Sequence, residues 1–378
     1  MTQADQRRSA RIVTTVSGDI PYGLESSIAN GERPLTDYVA IASETGTTLL
    51  DRRDVRKNAT WLERVVLSVA GPDVAMAVQL YRNRHDYDVI FTDGEQVGLP
   101  LAALLKLAGP DRPRHVMIGH RVSARKKRAV IRLLGLTKGI DEVFVYSTNQ
   151  LYAGQDLFHR PGQSVTLIDF MVDTDFFEKQ DRDRSPDNDR PLIVTAGREF
   201  RDYPTMIDAV KDLDVDVVIA SASPWSKRAD NAHDVAIPDN VTVTSLSQRE
   251  LRDLFDKADL AVVPLLSVDF QAGITTILEA MAMELPVVCT ATLGQIDVVV
   301  EGKTGRYVAP GDVNAMRSAI VDLLDSADQR ADLGKAGRQL VEARADVRFY
   351  ARRIAGRLAI HATLRNRSND NVRTLPTS

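Results

Sequence analysis

The segment 260–310 constrains the fold of this 378-residue chain more than any other. It opens with an uncharged apolar run, 260–266, which has the length of a buried strand. After a polar loop, apolar residues recur at helical spacing over 274–284, and Pro286 and a second apolar run follow. This order predicts a βαβ unit of a parallel sheet. Open α/β sheets bind ligands beyond the carboxyl ends of their strands, so we expect a ligand at this loop.

The start of the predicted helix has the features of an anion site. Gly273 lets a ligand approach the backbone, and Thr275 and Thr276 add hydroxyl donors. The first amides of a helix have no partner within it, and the helix dipole adds partial positive charge. The segment therefore predicts phosphate binding. Glycine and threonine are also common at helix starts for capping alone, and that interpretation stays open.

Five short motifs in this half of the chain resemble those of a known family. They are FQAG at 270–273, LEAMA at 278–282, LPVV at 285–288, EGKTG at 301–305 and PGD at 310–312. Together they strongly resemble the retaining glycosyltransferases of the GT-B fold, in the large fourth family (glycosyl transferases group 1), which uses nucleotide-sugar donors. The resemblance implies an α/β fold of GT-B architecture, with two doubly wound, Rossmann-like domains facing a central cleft. It is specific over the C-terminal half and holds only in outline over the N-terminal half.

The family carries two glutamates separated by seven residues. Glu279 matches the second, which in the family holds the ribose hydroxyls of the nucleotide. The first falls at Gln271, an amide that bonds to sugar hydroxyls but carries no charge. This departure bears on the identity of the donor sugar and on the rate. The donor-binding residues implied by the resemblance are Leu246, Ser223, Gln271, Ala272, Gly273, Ile274, Thr275, Thr276 and Glu279.

A second motif, glycine-arginine, follows the apolar strand predicted at 192–196. In the family this arginine, here Arg198, binds the donor diphosphate, for which a guanidinium is well suited because it is always charged and forked. A lysine usually follows five or six residues later, but those positions hold Tyr203 and Pro204. We expect Arg201 to replace it. We therefore expect Arg198, together with Arg201 and the helix start at 273–276, to neutralise the leaving diphosphate.

Three residues of the N-terminal half are further candidates. His120, just past a predicted strand, matches the family's histidine that contacts the donor sugar, and completes the catalytic set with the two arginines. Gly18 lies in the loop after the first strand, where family members approach donor phosphate and acceptor, but an ordinary turn explains it equally well. Glu95 is either an acceptor contact or a first-turn charge on a helix, and the helix interpretation is favoured.

A basic run lies between Asp111 and Asp141, where no acidic residue occurs. Residues 121–132 lead into a basic amphipathic helix. Such a run is usually a solvated face whose apolar side packs on the sheet. Alternatively it contacts an anionic acceptor or an anionic membrane surface.

Composition limits the function classes. The chain is 44% hydrophobic and 26% charged, as in soluble globular proteins, and its net charge of −4 gives no general attraction to nucleic acid. A single cysteine, Cys289, excludes an internal disulfide, and the six scattered histidines give no metal-ligand spacing. We expect no metal and no cofactor beyond the nucleotide-sugar. No signal peptide or membrane span is predicted, so we expect a cytoplasmic location, with peripheral contact at the inner membrane face through 121–132.

The predicted domain organisation is bipartite. It comprises a disordered leader (1–10), an acceptor-side domain (11–178), a linker (179–190), a nucleotide-sugar-binding domain (191–346), a helix packing back on the first domain (347–364) and a flexible tail (365–378).

Three functions are compatible with these patterns. The first is a retaining glycosyltransferase with a sugar, lipid or small-molecule acceptor. The second is a GT-B nucleotide-sugar epimerase or another enzyme without transfer. The third is a non-catalytic partner subunit that binds a nucleotide-sugar. A dinucleotide-dependent dehydrogenase is disfavoured because no G-x-G-x-x-G follows the first strand.

Overall fold

The computed structural model describes residues 10–109, 111–180, 190–220 and 237–373, and their side chains as far as residue 366. The predicted leader and linker therefore lie mostly outside the described residues, as do residues 374–378 of the predicted tail, whereas 365–373 of that tail continue the last helix. Within the described residues no helix combines the length and the apolar character needed to cross a bilayer.

The first domain is built on a parallel sheet of six strands in the order β2-β1-β3-β4-β5-β6. The strands are β1 (Ile12–Val16), β2 (Thr48–Asp51), β3 (Val89–Thr92), β4 (Arg114–Ile118), β5 (Glu142–Val145) and β6 (Ser164–Leu167). The helices between them are α1 (Leu24–Ala29), α2 (Asp37–Thr45), α3 (Arg52–Asn58), α4 (Trp61–Ala70), α5 (Pro72–Arg82), α6 (Glu95–Leu105), α7 (Arg125–Leu133) and α8 (Thr148–Leu157).

Apolar residues cover both faces of this sheet. Successive strand residues point to opposite faces, so Val89 and Phe91 enter the cluster that includes α2. Ile90, between them, enters the cluster formed with α5 and α6. Burial on both faces is the arrangement expected of a parallel sheet.

The second domain repeats this plan with strand order β12-β11-β10-β7-β8-β9, again all parallel. Its strands are β7 (Leu192–Ala196), β8 (Asp216–Ala220), β9 (Val241–Thr244), β10 (Leu260–Val263), β11 (Val287–Thr290) and β12 (Gly305–Val308). Its helices are α9 (Tyr203–Val210), α10 (Gln248–Phe255), α11 (Ile274–Ala282), α12 (Val313–Leu324) and α13 (Ala327–Arg344). Two doubly wound sheets confirm the predicted α/β fold class.

Each sheet has a point where the strand order reverses. In the first sheet β1 lies between β2 and β3, and in the second β7 lies between β8 and β10. Chains leave such a point in opposite directions, which opens a crevice at the carboxyl ends of the strands. The topology therefore places a crevice between β7 and β10, at the loop that the sequence singles out.

The last helix, α14 (Val347–Arg373), packs on the first domain rather than the second. Ile354 and Leu358 are buried against the first sheet together with α2. The Tyr350 hydroxyl lies 2.9 Å from the Tyr146 hydroxyl, which follows β5. The helix thus completes, beside α2, the cover on one face of the first sheet.

Several element boundaries differ from the sequence expectation. β2 and β12 are four-residue edge strands, too short and too polar for periodicity to indicate. β10 ends at Val263, before Pro264, instead of continuing to 266. α11 ends at Ala282, and Glu284 adopts the left-handed conformation (φ 57°) that often terminates a helix.

Candidate active site

A cleft of about 580 Å³ opens at the carboxyl ends of β10, β7, β8 and β9. Its lining comprises Arg33, residues 196–201, Ala220, residues 246–248, Leu251, residues 270–276 and Glu279. The volume is that of a small-molecule site. The cleft brings together most of the predicted set: Arg198, Arg201, Leu246, Gln271, Ala272, Gly273, Ile274, Thr275, Thr276 and Glu279. His120, Gly18 and Glu95 are not part of this lining. Ser223 lies outside the described residues.

The start of α11 forms the floor at one end of the cleft. Its N-cap, Gly273, has φ 75°, and a Cβ there would lie 2.8 Å from Val263 Cγ1, so the position requires glycine. No side chain caps this helix, so its first amides are directed into the cleft without a side-chain partner. The geometry is that of an anion-binding helix terminus.

The two threonines of this helix have different environments. Thr276 is buried, accepts from Arg201 Nη2 at 3.2 Å and donates to the Ala196 carbonyl at 3.2 Å. Its hydroxyl is therefore committed to the protein, and the expectation that it is a ready ligand donor is wrong. Thr275 is exposed in the cleft lining, where its hydroxyl is accessible.

Arg201 is a buried cation at the base of the cleft, only 5% exposed. Its Nε donates to the Ala196 carbonyl and its Nη1 to the Glu199 carbonyl, each at 3.0 Å. Burial lowers the pKa of Arg201, while nearby acidic groups act in the opposite direction. Bonds to two backbone carbonyls and to the Thr276 hydroxyl hold the guanidinium at the base of the cleft, where its positive charge favours an anionic ligand.

Two polar atoms in the lining are buried without a hydrogen-bond partner within the described part of the chain. They are Arg198 Nε and Gln271 Oε1. Unpaired buried polar atoms are rare in folded proteins because they carry a desolvation cost. The open donor on Arg198 indicates a ligand with an acidic group. The open acceptor on Gln271 indicates that the same ligand carries a hydroxyl.

Glu279 lies on α11, beyond the anion-binding end. Burial raises the pKa of its carboxyl to about 8, and the charge of Arg201 only partly opposes this rise. At neutral pH the carboxyl is therefore mostly protonated, so it can both donate and accept a hydrogen bond. Such a group matches a pair of adjacent hydroxyls, as on a ribose.

Sequence reasoning missed several residues of the lining. Arg33 comes from the loop after α1 in the first domain, and no local sequence signal marks it. Phe200 has φ 59°, a conformation that costs free energy in a residue with a side chain. Its ring packs edge-on against Phe270, with 4.9 Å between the ring centroids. A non-glycine residue held in this conformation beside a cleft is typical of functional sites.

The N-terminal candidates lie at the reversal point of the first sheet. His120 Nε2 lies 2.9 Å from the Asp93 carbonyl oxygen, and its ring centroid is 5.7 Å from that of Tyr146. The Asp93 carboxylate accepts from the Ser17 hydroxyl at 2.8 Å. The carbonyl of Gly18 accepts from the Arg52 amide at 3.0 Å, which ties the loop after β1 to the start of α3.

Glu95 has a structural position. It is 6% exposed, and its carboxylate accepts from Lys127 Nζ at 2.7 Å and from the Arg121 amide at 2.9 Å. Its assignment as an acceptor contact is corrected accordingly: the side chain lies at the start of α6, and its Oε1 bonds to the basic segment. Burial acts to raise the pKa of Glu95, but the charges of Lys127 and His120 and the two hydrogen bonds outweigh it and lower the pKa.

No group of three metal-ligating side chains occurs among the described residues.

Comparison with known proteins agrees with this geometry. Residues 176–340 match the family described as glycosyl transferases group 1. A GDP-mannose-dependent alpha-(1-6)-phosphatidylinositol monomannoside mannosyltransferase from Mycobacterium tuberculosis is 27% identical over 295 residues, covering 72% of this chain and 76% of the relative. The enzyme of the same description from Mycolicibacterium smegmatis is 25% identical over 294 residues, with the same coverage.

Solved structures show the same fold. Sucrose-phosphate synthase from Thermosynechococcus elongatus superimposes with a TM-score of 0.68 at 18% identity, covering 93% of this chain and 99% of the other. Anabaena HepE in complex with UDP and glucose gives a TM-score of 0.65 at 15% identity with the same coverage. The chain is therefore a glycosyltransferase of the GT-B fold, related to the glycosyl transferases of group 1.

Proposed function

We propose that this protein transfers a sugar, with retention of anomeric configuration, from a nucleoside diphosphate sugar to an acceptor hydroxyl. One observation carries the proposal: Arg198, Arg201 and the uncapped start of α11 converge on one cleft. All three favour negative charge at the same place. Charge that develops there on a departing diphosphate is stabilised without any rearrangement of the protein.

The cleft has the dimensions of the proposed donor. It runs along the carboxyl ends of four neighbouring strands, β10 to β9. At roughly 4.8 Å per strand, three spacings give about 14 Å, comparable with an extended nucleoside diphosphate. The diphosphate lies at α11, the ribose at Glu279, and the base at the α10 end beside Leu246 and Leu251. Gln271 and His120 face the donor sugar in this arrangement.

The proposed chemistry is front-face transfer. The bond between the anomeric carbon and the diphosphate oxygen breaks as the acceptor oxygen bonds to that carbon from the same face. The acceptor proton passes to the departing phosphate oxygen. Glu279 is not the nucleophile, because its raised pKa keeps it mostly protonated at neutral pH. We propose that the reaction needs no metal, since two guanidinium groups and a helix start supply the positive charge that stabilises the leaving group.

The acceptor side is proposed at the reversal point of the first sheet. Ser17, Asp93 and His120 meet there, at the carboxyl ends of β1 and β3. Ligands of open α/β sheets bind at such points. The mannosyltransferases of Mycobacterium named above act, by their description, on a phosphatidylinositol mannoside. GDP-mannose and a lipid-linked sugar are accordingly the first donor and acceptor to test.

Binding of a donor is tested by thermal shift with nucleoside diphosphates and their sugars. A ligand that binds only the folded protein raises the melting temperature. We expect a shift with one base, lost in Arg198→Ala and Glu279→Ala. Arg306→Ala is the matched control, because Arg306 is a partly exposed arginine of the same domain, paired with Glu301 outside the cleft lining. No shift with any donor in folded protein would remove the basis of the proposal.

Product analysis separates the three functions. A transferase releases nucleoside diphosphate only when an acceptor is present or when water takes the place of the acceptor. NMR of the product then gives the anomeric configuration of the transferred sugar. An epimerase converts the donor sugar without a second substrate. A binding subunit shifts in melting temperature but turns nothing over. Undiminished turnover with a chelator present is expected, and its loss would contradict metal independence.

We also propose that this protein is cytoplasmic and that it contacts an anionic membrane peripherally. The proposed contact surface is smaller than the whole of residues 121–132. Much of that basic run is paired: Arg128 and Arg132 both contact Asp156, and Lys127 contacts Glu95. The remaining α7 surface exposes Arg125 and Lys126.

Exposed apolar side chains lie about two turns further along α7. Leu133 and Leu134 at the end of α7 are 86% and 49% exposed. Leu107, after α6, is 73% exposed, and Lys106 Nζ bonds to the Leu134 carbonyl at 2.7 Å, which brings the two helix ends together. Exposed leucines beside cations are typical of an interfacial helix surface.

Sedimentation with vesicles tests this contact. We expect binding to phosphatidylcholine vesicles that contain phosphatidylglycerol, weakened by salt, and little binding to phosphatidylcholine alone. Leu133→Ser with Leu134→Ser should reduce binding roughly tenfold or more, because burial of a leucine contributes about 1.5–3 kcal/mol. Leu293→Ser, at a 69% exposed leucine of the second domain, is the control. Equal binding by all three proteins would contradict the assignment of the surface.

A further inference from the structure

The loop between β10 and α11 carries Gln271 and leads directly to the proposed phosphate site. Asp269 in this loop is bound by the opposite domain. Its Oδ1 accepts from Arg121 Nη2 at 2.8 Å and from Arg121 Nε at 3.0 Å. Its Oδ2 accepts from the Ser123 hydroxyl at 2.8 Å. Both donors belong to the loop after β4 of the first domain.

The backbone of Asp269 is held from the same side. Its carbonyl accepts from Asn149 Nδ2 at 2.8 Å and from Gln150 Nε2 at 2.7 Å. Gln150 is 1% exposed, and its Oε1 accepts from the Ser123 amide at 3.0 Å. All three oxygens of Asp269 thus bond to the first domain. We call Arg121, Ser123, Asn149, Gln150 and Asp269 the interdomain clamp.

The clamp is connected to the lining of the cleft. The Arg121 guanidinium carbon lies 5.0 Å from the centroid of the Phe270 ring, next to Asp269 in the chain. Phe270 packs on Phe200, which precedes Arg201. Gln271, whose Oε1 is buried without a partner in the described structure, follows immediately. The positions of Phe270 and Gln271 therefore depend on contacts that exist only when the two domains are together.

A second interdomain contact provides a comparison. Asp297 of the second domain accepts from the Thr148 amide at 2.7 Å and from its hydroxyl at 3.0 Å. This contact also joins the domains at the start of α8, but Asp297 is outside the cleft lining and far along the chain from Gln271. Asp269 and Asp297 thus both bond to the first domain, and of these two only Asp269 belongs to the donor loop.

We propose that Asp269 is a positioning residue that couples closure of the cleft to the placement of Gln271 against the donor sugar. This inference rests on the proposed function. With the domains apart, the second domain still holds the nucleoside diphosphate through Arg198, Arg201 and α11. Only closure fixes the 268–271 loop, so sugar transfer depends on the clamp while nucleotide binding does not.

The test compares Asp269→Ala with Asp297→Ala. In Asp269→Ala we expect kcat for the nucleotide-sugar to fall roughly 10- to 100-fold, as for loss of charge-assisted hydrogen bonds. The Kd of the nucleoside diphosphate alone should stay within about twofold, since its contacts remain. Asp269→Asn, which keeps the side-chain acceptor, should recover part of kcat. Asp297→Ala should retain both parameters.

Hydrogen exchange of residues 264–276 supplies a readout that needs no turnover. In Asp269→Ala these amides should exchange about tenfold faster, because local opening of the loop becomes easier, whereas Asp297→Ala leaves them unchanged. Similar kinetics and exchange in the two variants would overturn the clamp and leave a general interdomain contact. Wild type that turns over no donor would refute the proposed function, and the exchange result would still decide the clamp. If the Asp269→Ala variant does not fold, the Ser123→Ala variant is tested in its place.

Discussion

Glu279→Gln is expected to stabilise the ligand-free protein, and increasingly so as the pH rises. Burial raises the pKa of Glu279 to about 8 from its ordinary 4.5. Because the folded-state value lies above the unfolded-state value, this group's contribution to stability is fully present below about pH 4.5 and is lost as the pH rises through about 8. Glutamine has nearly the same shape and does not titrate.

The magnitude follows from proton linkage. Between about pH 5 and pH 8 the folded protein binds close to one proton more at this position than the unfolded chain, which costs about 1.4 kcal/mol per pH unit. The free energy of unfolding of Glu279→Gln relative to wild type should therefore grow by roughly 4 kcal/mol over this interval. Other titrating groups contribute equally to both proteins and cancel in the difference.

Urea unfolding of both proteins at several pH values measures this difference directly. A difference that is independent of pH would refute the reasoning, since it would mean that Glu279 is ionised in the folded protein or that its carboxyl is not desolvated. Donor binding should weaken in the same variant, because either carboxyl oxygen can accept a hydrogen bond from a ribose hydroxyl, whereas the amide nitrogen of glutamine only donates. A stabilised but weakly binding variant is the pattern expected of a functional site.

Three further changes test other parts of the structure. Gly273→Ala should lower the free energy of unfolding by about 1–3 kcal/mol more than Gly311→Ala does, as measured by thermal unfolding. Both glycines have a positive φ, but only at Gly273 would the new Cβ lie against a side chain of β10. Thr276→Val should cost about 1–3 kcal/mol through its lost bonds, whereas the exposed Thr275→Val should cost little; equal costs would contradict the assignment of the buried hydroxyl. Burial lowers the pKa of His115 to about 4, so wild type should lose stability as the pH falls from about 6.5 toward 4, and unfolding of His115→Gln should lack that part of the pH dependence.

The sequence is most informative where the determinants are local. The βαβ unit at β10, α11 and β11 is predicted because its strands, its glycine and its helix all lie within a few tens of residues. The cap of α9 is also local, since the Asp202 carboxylate accepts from the Thr205 amide three residues later at 3.3 Å. Arg201 is placed in the cleft because it follows β7 closely.

The remaining features depend on contacts distant in sequence. Arg33 enters the cleft from the first domain, and no pattern around it indicates a partner in the second. Arg121 and Asp269 pair although they are 148 positions apart in the chain. The sequence around the basic run therefore does not indicate that one of its arginines contacts the second domain. Glu95 is a similar case. Its position in the sequence fits both a charge at the start of a helix and a contact with an acceptor, and only the ion pair with Lys127 in the folded protein distinguishes the two.

The two segments in which the chain passes from one domain to the other, around Val172 and around Val347, lie side by side. The Val172 amide bonds to the Ala345 carbonyl at 2.8 Å, and the Val347 amide bonds to the Val172 carbonyl at 2.9 Å. Beyond this point α14 supplies Tyr350, Ile354 and Leu358 to the core of the first domain. The first domain therefore depends on a helix that is synthesised after the second domain. During translation one face of its sheet is covered only in part, by α2, while the second domain emerges, so the first domain completes its folding only once α14 has followed.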